Sequence, residues 1–171
     1  EATVTIKGHE DSVTYDGKPH SVEGYEITDI SNKLYTKDDV QFTGKAKAEG
    51  TEAGTYPMNL AADQFTNTND NYKNVRFEVN DGTLTINPKS ITPDGPDTPD
   101  EKKTGITVSD PSDSKYDGKE HREVLTVQDT KKNDELVAEK DYSVTYSDDL
   151  VNAGTVAITI EGIGNYTGSF T

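Results

Sequence analysis

Tyr15-Asp16-Gly17-Lys18-Pro19-His20 returns later in the chain as Tyr116-Asp117-Gly118-Lys119-Glu120-His121. Two further landmarks follow in the same order: Ala53-Gly54-Thr55 comes back as Ala153-Gly154-Thr155, and Asn71-Tyr72 as Asn165-Tyr166. The motif Tyr precedes that Ala by 38 residues in the first copy and 37 in the second. Ordered landmarks at near-constant spacing mark a tandem duplication of one small module. Working outward, the expected organisation is a first module over 1–88, a Pro- and Asp-rich linker over 89–103, and a second module over 104–171. The copies diverge between Ala and Asn, by 18 residues against 12. The second copy stops at Thr171 where the first continues to Asn87, so the second is expected to lack its last strand. With no signal peptide at its start, the chain reads as a piece of something longer.

The apolar pattern within each copy has the period of strands. Thr3-Val4-Thr5-Ile6 puts Val4 and Ile6 on one face, and Val40-Gln41-Phe42 and Val75-Arg76-Phe77-Glu78-Val79 alternate likewise. Asn80-Asp81-Gly82 then reads as a hairpin turn, with Gly82 free to take positive φ and Thr83-Leu84-Thr85-Ile86 running back. In the second copy Tyr142-Ser143-Val144-Thr145-Tyr146 and Val156-Ala157-Ile158-Thr159-Ile160 alternate in the same way. Only Thr36-Lys37-Asp38-Asp39 suits a short helical turn, Thr preceding acids at a helix start. In the linker Pro93, Pro96 and Pro99 lie three apart, the spacing of one face of a polyproline II helix. Extended at ~3.1 Å per residue, a dozen such residues span roughly 37 Å, with Gly95 as a point of bending.

Composition narrows the function classes. The net charge of −15 is spread as −7, −1 and −7 over the three segments, a solvated acidic skin and not a tail. A nucleic-acid-binding surface needs clustered Lys and Arg, and an anionic membrane would repel this chain. Only 30% of residues are apolar, with no Trp and one Met, so each module has a thin core. There is no Cys to add disulfides, and no run approaches the ~20 apolar residues of a membrane span.

Tyr-Asp-Gly-Lys, then Ala-Gly-Thr, then Asn-Tyr and a closing strand resemble the repeats called MBG or YDG-type domains, which occur in tandem in large secreted and wall-attached bacterial proteins. The resemblance covers nearly the whole chain outside the linker. It implies a non-enzymatic, extracellular, all-β module of an adhesin-like or multidomain surface protein, and it supplies no catalytic residues. The expected fold is all-β: two tandem small β-sandwich modules, immunoglobulin-like, with β-grasp-like modules as the alternative. The expected role is that of stalk or spacer, a monomer whose partners are neighbouring repeats of the same chain. The alternatives are recognition of host glycan, mucin or matrix protein, and an accessory module of a large extracellular glycosidase.

The motif residues Tyr15, Asp16, Gly17, Tyr116, Asp117 and Gly118 fit turns between strands. Gly54 and Gly154 fit tight turns whose backbone is closed to other residues, and Tyr72 and Tyr166 close each repeat. As ligand contacts the candidates are Tyr15 and Tyr116, as stacking platforms, with His20 and His121 in equivalent places. One His per module is too few for zinc, His9 has no counterpart, and no Gly-x-Ser-x-Gly, His-Glu-x-x-His or phosphate-cradling loop is present. No catalytic, cofactor or metal residues are therefore expected. A weak calcium site stays open at Asn67-Thr68-Asn69-Asp70-Asn71 with Glu78, although Tyr72 stands where a calcium loop needs Gly. Asp38-Asp39 and Asp148-Asp149 read as solvated turn acids. Lys7 and Asn87, near the two ends of the first module, are a candidate Lys–Asn isopeptide pair lacking an identifiable buried Glu. Asn165-Tyr166-Thr167 matches a glycosylation sequon only because the repeat motif falls there.

Overall fold

The first strand sets the plan of its module. β1 (Ala2–Gly8) buries Ala2, Val4 and Ile6 on one face, the last two completely, at about 1.5–3 kcal/mol per large side chain. The computed structural model describes residues 1–147 and 149–171; Asp148, one of the acids read as a turn pair, lies outside the described residues. The protein is all-β, built of several small sheets consistent with a β-sandwich. No α-helix occurs among the described residues. Nor is any helix among them long and apolar enough to cross a membrane. The chain divides into two compact units, Glu1–Val13 with Lys18–Asn87, and Thr14–Gly17 with Pro88–Thr171. The first Tyr-Asp-Gly turn thus belongs to unit 2.

Unit 1 continues with β2 (Glu10–Thr14), β3 (His20–Glu23), β4 (Tyr25–Ile30), β5 (Val40–Phe42) and β6 (Lys47–Gly50). After them come β7 (Gly54–Pro57), β8 (Phe65–Asn67), β9 (Val75–Asn80) and β10 (Thr83–Asn87). β1 lies between antiparallel β4 and parallel β9, while β10 lies between β2 and β7; β3 pairs with β6 and β5 with β8. The core gathers β1, Tyr35 and Phe65, with Tyr25, Phe42 and Phe77 packed against it. Their rings meet at centroid separations of 4.9 to 6.0 Å, tilted or edge-on as aromatic quadrupoles prefer. The short turn expected at Thr36 is present as a 3-10 turn over Lys37–Asp39, with the Asp39 carboxylate accepting from the Thr36 amide at 2.7 Å.

The expected hairpin at Asn80-Asp81-Gly82 does not form. β9 and β10 belong to different sheets, and the chain steps from one to the other at Asp81 and Gly82. β1 and β2 make the same step at Gly8 and His9. The two crossings touch: a Cβ on Gly8 would stand 2.3 Å from the Gly82 nitrogen. Gly82 is therefore needed for backbone approach, and not for positive φ. Asp81 fixes the corner by accepting from the amides of Asn59, Leu60 and Gly82 at 3.0, 2.8 and 2.8 Å.

Unit 2 holds β11 (Lys89–Ser90), β12 (Ile106–Val108), β13 (Val127–Asp129), β14 (Asp134–Glu135), β15 (Tyr142–Tyr146), β16 (Ile158–Gly162), β17 (Tyr166–Thr167) and β18 (Ser169–Phe170). β12, β13 and β14 form one antiparallel sheet, β15, β16 and β18 another, and β11 runs parallel to β17. Ile91, Ile106, Val127 and Ile160 are fully buried. The segment expected to be an extended spacer instead begins as β11 and then folds back. Asp94 closes it, its carboxylate accepting from the amides of Thr104 and Gly105 at 2.8 and 2.7 Å while its own amide donates to Ile106 at 3.2 Å. Proline spacing predicted an extended conformation, but burial of Ile91 and the carboxylate clasp outweigh that preference. Residues 109–126 form no strand. At the equivalent spacing from the Tyr-Asp-Gly motif, unit 1 has β2, held by β10, and β3, held by β6.

Candidate functional site

The two Tyr-Asp-Gly turns share a backbone and differ in surroundings. Gly17 and Gly118 both have φ 76°, a conformation that favours glycine. Tyr15 is buried within unit 2, its ring edge-on to Tyr166 at 5.7 Å. Lys132 lies 4.7 Å from the Tyr15 ring centre and donates to the hydroxyls of Tyr15 and Tyr166 at 3.1 and 3.3 Å. A Cβ on Gly17 would come within 2.8 Å of Lys132 Cε. Tyr116, by contrast, is 67% exposed. Its neighbour Asp117 accepts from the Lys119 amide and pairs with His121 Nε2, both at 2.9 Å; these bonds, the amide first, hold its carboxyl below the ordinary range.

Behind Tyr15 a chain of polar groups leads into the core of unit 2. Tyr166 O–H donates to Asp129 Oδ2 at 3.2 Å, and Lys89 Nζ donates to the same oxygen at 2.6 Å. Asp129 has no exposed surface and Lys89 is 7% exposed. Asp129 Oδ1 accepts from the Lys131 amide at 3.2 Å. Burial raises the Tyr166 hydroxyl well above its ordinary value, with Asp129 adding to this and Lys132 opposing it, so the phenol keeps its proton and stays a donor. Burial pulls the Lys132 ammonium down, but the two phenol oxygens outweigh it and the group stays charged. Sequence reasoning missed Lys89, Asp129 and Lys132. Asp129 had a signal: it stands two residues after Val127 and so shares its inward face.

The other candidates are dispersed. His20 opens β3 opposite Gly50, whereas His121 lies outside any strand and donates its amide to the Leu150 carbonyl at 3.0 Å. Tyr72 packs edge-on to Tyr35 at 5.0 Å. Gly54 starts β7, while Gly154 lies in open space outside the left-handed region, so the closed backbone expected there is not found. In the loop weighed for calcium, Asn67 Oδ1 accepts from the Asn69 amide and the Tyr35 hydroxyl, both at 3.0 Å. No group of three or more His, Asp or Glu among the described residues is placed to hold a metal ion. Lys7 pairs with Glu10 at 3.3 Å and the Asn87 amide donates to Ser12 at 2.8 Å, so the cross-link considered there is not assembled.

No curated protein and no solved structure matches the chain. A family model does: that of the MBG domain matches residues 2–88, 87 of 171. MBG domains are non-catalytic repeats that occur in extracellular proteins. On that match, and with the all-β fold above, the chain belongs to the MBG domain family.

Proposed function

We propose that the chain is a stalk segment of a bacterial cell-surface, adhesin-like protein, secreted or wall-attached, whose partners are neighbouring repeats of the same protein. The observation that carries this is the placement of its tyrosines. Of nine, Tyr116 alone is exposed; the others are buried or half-buried, with their hydroxyls or rings tied into the fold. Stacking on sugars needs aromatic faces open to solvent, and a structural repeat does not. The spread of negative charge supports the same role, keeping crowded copies from associating. Since the Pro-rich segment joins the fold of unit 2, reach comes from folded units and not from a loose tether. The test is to insert the chain between a displayed binding domain and its surface anchor. Capture of a large target should rise over the anchor alone, as it should with an unrelated β module of equal length; a rise confined to this chain would point to recognition instead.

A second reading rests on Tyr116 itself. Its open ring beside the Asp117–His121 pair is the place where a host glycan or matrix protein would be met.

A further inference from the structure

Lys89 and Asp129 meet in the core of unit 2 under conditions that favour more than a salt bridge. Lys89 lies on β11 and Asp129 ends β13, so the two come from separate elements. The nitrogen and Oδ2 are 2.6 Å apart, and the side chains are 8% and 0% exposed. A buried ion pair pays a desolvation penalty that its mutual attraction does not always recover. A neutral amide at the same place carries no such penalty. We propose that Lys89 and Asp129 condense into an intramolecular isopeptide bond once unit 2 has folded.

The atoms needed are in position. Within the pair, one ammonium proton moves along the 2.6 Å hydrogen bond to Oδ2, leaving a neutral amine beside a neutral acid. The amine lone pair adds to Asp129 Cγ, forming the C–N bond. Oδ1 then carries the developing negative charge, and the Lys131 amide already donates to it at 3.2 Å, as an oxyanion donor would. The Cγ–Oδ2 bond breaks, and Oδ2 leaves as water with its own proton and the second one from the amine. Tyr166, donating to Oδ2 at 3.2 Å, eases that departure and keeps its proton at the end. Nothing is oxidised or reduced, and no co-reactant is required. Fixed proximity of this kind is worth effective concentrations of up to ~10⁵–10⁸ M, enough to drive a condensation that is negligible between free side chains. Exclusion of water from a fully buried carboxyl slows the reverse hydrolysis. In a chain without cysteine, the bond ties β11 to β13 as a disulfide would.

The intact mass of the folded 171-residue chain tests this. The expected result is a mass lighter than the sequence by one water, and a tryptic peptide joining Lys89 to Asp129, with cleavage after Lys89 lost. Water can also be lost as a succinimide at Asp16-Gly17, Asp81-Gly82, Asp94-Gly95 or Asp117-Gly118, or by cyclisation of Glu1. Those products map to other peptides, and succinimides revert in mild base while the isopeptide persists. Lys89→Arg keeps the charge without a condensing amine and should show the full mass. Should that variant fail to fold, the wild-type digest decides alone. Tyr166→Phe should gain the lighter species more slowly, and an unchanged rate would remove Tyr166 from the mechanism. Full sequence mass in protein that is folded by circular dichroism, after several days at neutral pH, overturns the proposal. So does a water loss that maps anywhere else.

Discussion

Replacing Gly8 with alanine tests the double sheet crossing of unit 1. The new Cβ would sit 2.3 Å from the Gly82 nitrogen, 2.5 Å from its Cα and 3.0 Å from Leu60 Cδ1. Real Cβ atoms essentially never come within 3.0 Å, and two of these three contacts are backbone that cannot swing aside. The corner must open by roughly the missing half-ångström or more, and it is already pinned by the three amide bonds to Asp81. Overpacking a well-filled site costs about 1–3 kcal/mol, and a backbone clash belongs at the upper end, about 3 kcal/mol. Neither Gly8 nor Gly82 has positive φ, so the loss is steric and not conformational. Gly95→Ala is the control: its Cβ would meet only Thr98 Oγ1 at 3.6 Å, and its stability should stay level or rise by a few tenths of a kcal/mol. The assay is urea denaturation followed by circular dichroism, with the amide signals of Val4 and Ile6 reporting on unit 1. A Gly8→Ala protein within about 0.5 kcal/mol of wild type, at unchanged m value, would refute the crossing.

Removing the Asp81 carboxylate strands the partly buried Leu60 amide, so Asp81→Ala should cost about 2–4 kcal/mol by urea denaturation. The equivalent tyrosines should behave unequally in thermal melts: Tyr15→Ser should destabilise by about 3 kcal/mol, since its ring is buried, and Tyr116→Ser by less than about 0.5. Asp94 supplies a pH dependence. Burial raises its carboxyl, but the amides of Thr104 and Gly105 and the Thr104 hydroxyl more than offset this, leaving it below 3.8. A lowered folded value gives stability that is present above 3.8 and lost as pH falls through the folded value. The Thr104 and Gly105 amide signals should therefore shift with a midpoint below pH 3.8, and a midpoint above it would contradict the clasp.

The strands were legible because alternation is local: Val4 and Ile6, Val75 to Val79 and Tyr142 to Tyr146 each announce a buried face within a few residues. Their pairing was not. Asn80-Asp81-Gly82 carries the composition of a hairpin turn, yet composition records what a backbone can do locally and not which strand lies beside it. Parallel pairing of β9 with β1 brings together residues some seventy positions apart. The same limit hid the fate of the linker, since the Asp94 clasp closes across ten residues that look like a spacer. The repeated Tyr-Asp-Gly turn was visible, but Tyr15 is buried by Lys132, 117 residues away, which no local pattern reports. Lys89 and Asp129 escaped notice for another reason. Charged residues are read as solvated unless periodicity places them inward, a signal that Asp129 carries two residues after Val127 and Lys89 two residues before Ile91.

Whether this chain spaces or recognises is settled most directly by its equilibrium binding to a panel of host glycans, mucin and matrix proteins, beside the Tyr116→Ser variant. The spacer account predicts no saturable binding by either protein. Saturable binding by the parent chain that is lost in Tyr116→Ser would contradict it.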